Sequence, residues 1–190
     1  MTKLKSKAIC LCHIILRSFT RNRQDVCNSA YKIYVRPILE YNSEIWNACN
    51  KGEIRQIETV QRMFTRKLLQ RCNMKYSGYQ ERLKILNLES LELRRLNYDI
   101  ITVYKIFNNL IDISFNTFFD PIKTTYNLRH HTLSLTKPKA AKTNALQYSF
   151  KYRIVDVWNS LPNSLVVSQS LTLFKNGLKQ QSLEQFLSAQ

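Results

Sequence analysis

At 190 residues the chain can build one good hydrophobic core or two small ones, and its 44% hydrophobic content implies a folded protein rather than a disordered one. Three glycines and four prolines exclude a glycine-built phosphate loop and an elaborate sheet, and fit long helices with few tight turns. Against 13 Asp and Glu stand 29 Lys and Arg, a net charge of +16 that disfavours a monomeric enzyme for a neutral metabolite and favours a phosphate backbone or an anionic surface as partner.

In chain order, residues 4–19 read as a helix with Leu4, Ala8, Leu11, Ile15 and Phe19 on one side. Asn22 to Asp25 breaks it, and Asp25 is placed to cap the next helix. There Ala30, Ile33, Tyr34 and Ile38 form the expected inward stripe, which Pro37 should kink or divide. After Asn50-Lys51-Gly52, the stripe Ile54, Ile57, Gln61, Phe64 and Leu68 marks a long helix. Its other side carries Arg55, Arg62 and Arg66, with Glu58 spaced to pair with Arg62.

A short helix is expected over Tyr79–Leu86, with Ser77 and Gln80 as its capping box. Residues 88–110 hold the strongest helical pattern: Leu93, Leu96, Ile100, Val103, Phe107 and Leu110 face inward, while Arg95 and Asp99 sit largely elsewhere. Residues 112–147 are loop-rich, with extended candidates at Phe115–Phe119 and His131–Leu135. A helix over 148–158 ends in the turn Asn159-Ser160-Leu161-Pro162-Asn163. Ser170 then caps a last helix with Leu173, Phe174, Gly177 and Leu178 inward. The expected fold class is therefore mostly α: a helical, bundle-like region over 1–110 and a basic extension with short helices over 111–190.

The five cysteines, Cys10, Cys12, Cys27, Cys49 and Cys72, repeat no metal-ligand spacing and read as buried free thiols. No apolar run reaches membrane-spanning length. Ala8–Leu16 follows three lysines but lacks a cleavage site, so an intracellular place, nucleus or cytoplasm, is expected. Two-metal phosphoryl chemistry needs closely placed carboxylates, whereas Asp25, Asp99, Asp112, Asp120 and Asp156 are widely spaced. Glu40 and Glu44, one turn apart, read as a solvated pair, and His130-His131 as an exposed basic loop. Neither a catalytic site, a metal nor a cofactor is expected.

Several segments carry a family resemblance. Tyr31-Lys32-Ile33-Tyr34-Val35-Arg36-Pro37-Ile38-Leu39-Glu40-Tyr41 and Ile57-Glu58-Thr59-Val60-Gln61-Arg62-Met63-Phe64-Thr65-Arg66 come first. Tyr79-Gln80-Glu81-Arg82-Leu83-Lys84, Leu88-Glu89-Ser90-Leu91-Glu92-Leu93-Arg94-Arg95 and Val157-Trp158-Asn159-Ser160-Leu161-Pro162 follow in order. Together they resemble the region downstream of the polymerase core in reverse transcriptases of non-LTR retrotransposons of the jockey and CR1-like kinds. The resemblance implies thumb-like helices and a carboxy-terminal extension that hold RNA or the template–primer duplex. It also implies that the catalytic palm and the endonuclease lie in an upstream module not in this chain. The alternative is a helical remnant of a decayed element with no independent function.

Charge distribution singles out the expected contact surface. Residues 121–153 hold seven basic groups and no acid, so their charge has no partner within the segment. The candidate nucleic-acid residues are Arg55, Arg62 and Arg66 on the helical ridge, with Lys137, Lys139, Lys142, Lys151 and Arg153 in the acid-free segment. Tyr126 and Tyr148, set among basic residues, are candidates for stacking on bases, whereas Tyr34, Tyr98 and Tyr104 fall at packing positions and Trp46 and Trp158 read as core anchors.

Overall fold

The computed structural model describes residues 2–19, 23–43, 51–120, 133–138 and 143–187. Regular structure among them is helical, as the periodicity requires, apart from an isolated bridge at Leu135. In order these are α1 (Thr2–Ser18), α2 (Gln24–Ala30), a π turn (Tyr31–Val35), α3 (Arg36–Glu40), α4 (Lys51–Arg71), α5 (Tyr79–Ile85) and α6 (Leu91–Phe107). Then come α7 (Phe115–Phe118), α8 (Asn144–Gln147), α9 (Phe150–Asn159), α10 (Asn163–Val166), α11 (Leu171–Leu178) and a 3-10 turn (Glu184–Phe186). Among the described residues no helix is long and apolar enough to cross a membrane.

Two compact units divide these residues. One holds the described residues up to Arg94 except Ser43; the other holds Ser43 and the described residues from Arg95 on. The chain thus passes from one to the other within α6.

In the first unit α1 buries Ala8, Cys12, Ile15 and Leu16 and packs against α3 and α4. Burial pushes the Cys12 thiol up to about 12 although Lys67 pulls it down, so at neutral pH it is an inert thiol. Cys27 is also buried, and its pKa is raised chiefly by that burial. Cys10 corrects the expectation of buried thiols: it is exposed, because two residues along a helix point to different faces. Cys49 and Trp46 lie outside the described residues, as do Glu44 and His130-His131.

The stretch around Pro37 departs from the expected stripe. Ile33 and Tyr34 are each 62% exposed, and Cys27, Tyr31, Val35 and Leu39 face inward instead. Their spacing is a constant four, which would drift around a helix of 3.6 residues per turn; the wider π turn takes up that drift. The turn closes with the Arg36 N–H donating to the Tyr31 carbonyl, immediately before the proline that has no N–H to offer. Proline therefore divides the helix, as expected, but by this register change. Glu40 is not solvated: its carboxylate is buried, 2.5 Å from Arg94 Nε and 3.7 Å from Arg36 Nε.

Four of the described helix ends use asparagine where glycine is the usual solution. Asn42, Asn73, Asn87 and Asn109 all have positive φ, near +50°, just past the ends of α3, α4, α5 and α6. After α6, Leu110 N donates to Lys105 O at 2.8 Å and Asn109 N to Ile106 O at 3.2 Å, a Schellman closure; Met74 and Leu88 close α4 and α5 the same way. Replacing Asn109 by Val should therefore lower stability by about 1–2 kcal/mol, and by Gly should leave it unchanged or slightly higher. A urea melt of both variants checks this, and equal losses would contradict the backbone argument.

At the start of α5 the capping reading shifts by one residue. Gly78 is the N-cap, and the Ser77 N–H donates to Glu81 rather than pairing with Gln80, which lowers the Glu81 pKa. Between α4, α5 and the start of α6 lies a buried polar network. Tyr31 Oη donates to Gln61 Oε1 at 3.0 Å, and Gln61 Nε2 donates to Tyr79 Oη at 3.0 Å and Glu89 O at 2.9 Å. Glu58, expected on the surface, is 2% exposed; it accepts from the Tyr79 hydroxyl and, at 3.1 Å, from the Leu91 N–H. Its negative charge at the first residue of α6 complements the helix dipole.

The second unit is built on aromatics. Tyr104 stacks on Phe174 with centroids 4.1 Å apart, and Trp158 lies between Phe107 at 6.3 Å and Phe174 at 6.2 Å. Trp158, fully buried as expected, also donates its indole N–H to Leu133 O at 3.0 Å. The Asn159 amide pairs with the Leu135 backbone, accepting at 2.8 Å and donating at 2.9 Å, and so fixes the isolated bridge residue against α9.

Of Phe115–Phe119, expected as extended, Phe115–Phe118 is a helical turn in contact with Phe107, at 4.7 Å between the Phe107 and Phe115 rings, and Phe119 alone is extended. Ser170 caps α11 as expected, accepting from Leu173 N at 3.2 Å; Leu173 itself points outward, and Phe174 and Leu178 are buried.

The largest departure is on α6. Ile100 and Val103 face inward as expected, but so do Arg95 and Asp99, each 1% exposed, whereas Leu110 is exposed. The reason is electrostatic: Arg153 grips Asp99 through Nε and Nη2, both at 2.8 Å, so the buried carboxylate is paired.

Candidate nucleic-acid interface

Helix α4 buries Ile57, Val60, Phe64 and Leu68, which leaves the opposite side to solvent. Arg55 and Arg66 stand there exposed, about 16 Å apart along the axis at 1.5 Å per residue. Arg62, between them, is half-buried; its guanidinium carbon sits 4.1 Å from the centroid of the Tyr79 ring. That stacking holds Arg62 in place, because Tyr79 is itself locked by Glu58 and Gln61. Burial, and then the Glu58 charge, keep the Tyr79 hydroxyl protonated well above its usual range. The ridge is thus two solvated cations flanking a fixed one, all in the first unit.

The acid-free segment lies in the second unit, and its charge does find internal partners, contrary to the expectation. Lys137 Nζ is 2.9 Å from Asp156, Lys151 Nζ is 3.6 Å from Asp120, and Arg153 holds Asp99. Acids from outside the segment reach it through folding, which local sequence does not reveal. These pairs differ in weight. Lys137 and Asp156 are 73% and 57% exposed, so their pairing contributes at most about 1 kcal/mol and the lysine stays available to an anion. Arg153 is committed: it also donates to Tyr148 O at 3.1 Å and lies over the Phe150 ring. Lys139 and Lys142 lie outside the described residues.

Of the aromatic candidates, Tyr148 is exposed and Tyr126 lies outside the described residues. Tyr104 packs in the core, with its hydroxyl 2.7 Å from Ser168 O, whereas Tyr34, expected to pack, is exposed. No group of three or more His, Cys, Asp and Glu able to hold a metal occurs among the described residues.

Sequence reasoning passed over a second basic cluster, where His13 and Arg17 of α1 meet Lys67 and Arg71 of α4 around an open cavity. Its signal was present as two i,i+4 basic pairs on helices that pack together.

A mostly α protein of two compact units is the class these features define. No family model matches the chain, and no solved structure matches it. An uncharacterized protein of Caenorhabditis elegans, B0403.1, is 27% identical over 108 residues, 57% of this chain and 52% of that protein. The chain spans about half the length of that relative.

Proposed function

We propose that this chain is a non-catalytic part of a mobile-element RNA-directed DNA polymerase, the thumb-like helices and extension that follow the palm. In this reading it contacts RNA or the template–primer duplex nonspecifically, in the nucleus or cytoplasm, and its polymerase module lies upstream. The ordered motifs from Tyr31 to Pro162 support the origin. The observation that carries the contact is Arg55 and Arg66 standing exposed on the side of α4 opposite its buried stripe. Cations so placed reach phosphates without uncovering the core, and phosphate contacts position a strand without reading its bases.

A second reading, a helical remnant without its own function, is favoured by the internal use of Arg94 and Arg153 in buried ion pairs. Binding separates the two: the first requires salt-dependent affinity for duplex or RNA, the second none above what any basic protein shows. The purified chain is also expected to leave a primer unextended on an RNA template with Mg²⁺ or Mn²⁺ and all four dNTPs. Template-dependent incorporation that persists through repurification would overturn the reading.

A further inference from the structure

We propose that the cavity between α1 and α4 is a binding site for a phosphoryl group, separate from the arginine ridge. The cavity holds about 590 Å³, and among the described residues four basic side chains line it: His13 and Arg17 from α1, Lys67 and Arg71 from α4. Gln70 and Asn73 add neutral polar groups, and Leu16 is its one apolar wall among the described residues. No described residue lining it is acidic, and no ion pair of the described residues reaches any of the four. Asp25 is close enough to act with Arg71 on the Cys27 thiol, but it is not among the residues that line the cavity.

Three features make this more than a solvated basic face. First, two of the groups are held in position. Arg71 donates Nη2 to Phe19 O at 2.7 Å and Nη1 to Leu16 O, clamping the last carbonyls of α1 while three of its five N–H donors remain. Lys67 Nζ is 3.0 Å from His13 Nε2; since an ammonium only donates, the imidazole nitrogen is the acceptor of that contact. Second, the cations converge on a concavity, whereas Arg55 and Arg66 project from a convex helix. Convergent donors suit a compact, highly charged oxyanion such as a phosphate monoester or pyrophosphate. Third, none of the described residues lining the cavity is aromatic, so among them recognition would rest on the phosphoryl oxygens.

The phosphoryl group can come from a nucleic-acid strand or from free phosphate, and the strand source alone rests on the function proposed above. The test uses the full chain with Arg17→Gln and Lys67→Gln combined. Arg17 is exposed and Lys67 half-buried, so both can change while Arg71 keeps its clamp on α1; circular dichroism checks the fold, and each single variant serves as a fallback. Calorimetry with pyrophosphate and anisotropy with a short 5′-phosphorylated strand read the two sources. The double variant should weaken pyrophosphate binding at least about tenfold, while Arg55→Gln with Arg66→Gln leaves it unchanged. Strand binding that weakens in the cavity variant while pyrophosphate fails to bind supports the site with the strand as its source. Pyrophosphate binding abolished with strand binding unchanged supports it with free phosphate as its source. Wild-type affinity for both probes in the folded cavity variant, or no binding of either probe to the wild type, overturns the proposal.

Discussion

Asp99→Ala is expected to cost about 3–5 kcal/mol of stability, visible as a large drop in the urea midpoint with an unchanged slope. The carboxylate is 1% exposed and takes two 2.8 Å hydrogen bonds from Arg153. Removing it leaves the Arg153 fork, whose side chain is only 15% exposed, facing the space the carboxylate filled. Arg95, one turn upstream and also 1% exposed, adds a second buried positive charge nearby. Low-dielectric surroundings make such uncompensated charge expensive, whereas the intact pair gains little over a hydrophobic substitute. The combined variant Asp99→Leu with Arg153→Met should consequently recover much of what the single change loses. A single variant that loses less than about 1 kcal/mol would place this pair in solvent.

Glu58→Ala should be nearly as damaging, by a different route. The change removes the acceptor of the Tyr79 hydroxyl and of the Leu91 N–H, both in buried surroundings. Each donor left without a partner costs about 1–3 kcal/mol, so roughly 2–6 kcal/mol is expected in total. Glu58→Gln keeps an acceptor of the same shape and should lose clearly less. Arg62 gives a second readout: it lies over the Tyr79 ring, and freeing that ring should loosen the middle of the basic ridge. Equal stability of the Ala and Gln variants would mean that the carboxylate is not the hub of the network.

The long helices were legible because their apolar residues recur at three and four. α4 buries Ile57, Gln61, Phe64 and Leu68 of its expected stripe, whereas α1 buries Ala8 and Ile15 of its own and turns Cys12 and Leu16 inward beside them. The π turn was not legible in that way, since a spacing of four is compatible with an ordinary helix until Val35 and Leu39 are seen buried together. Nor were the buried charges. Asp99 meets Arg153, and Glu40 meets Arg94, each across 54 residues of sequence, so local periodicity could only assign them to water. The same blindness made residues 121–153 look uncompensated, although Asp99, Asp120 and Asp156 all reach into them. On the ridge, Arg55 and Arg66 lie where the helical wheel puts them, while the stacking of Arg62 on Tyr79 depends on a second helix.

Proposed nucleic-acid binding through α4 is checked by the salt dependence of duplex binding with Arg55→Gln and Arg66→Gln. Arg62 stays wild-type in this variant because it packs on Tyr79 and its replacement would confuse binding with folding. Each phosphate neutralised releases condensed counterions, so log affinity should fall linearly with log salt, with a slope of about −0.9 per phosphate. If both arginines touch phosphates, the variant should bind every duplex sequence more weakly, and its slope should flatten by about 0.9 for each phosphate no longer neutralised. An unchanged affinity and slope, with helicity intact, would contradict the account and leave the ridge as a solvated face.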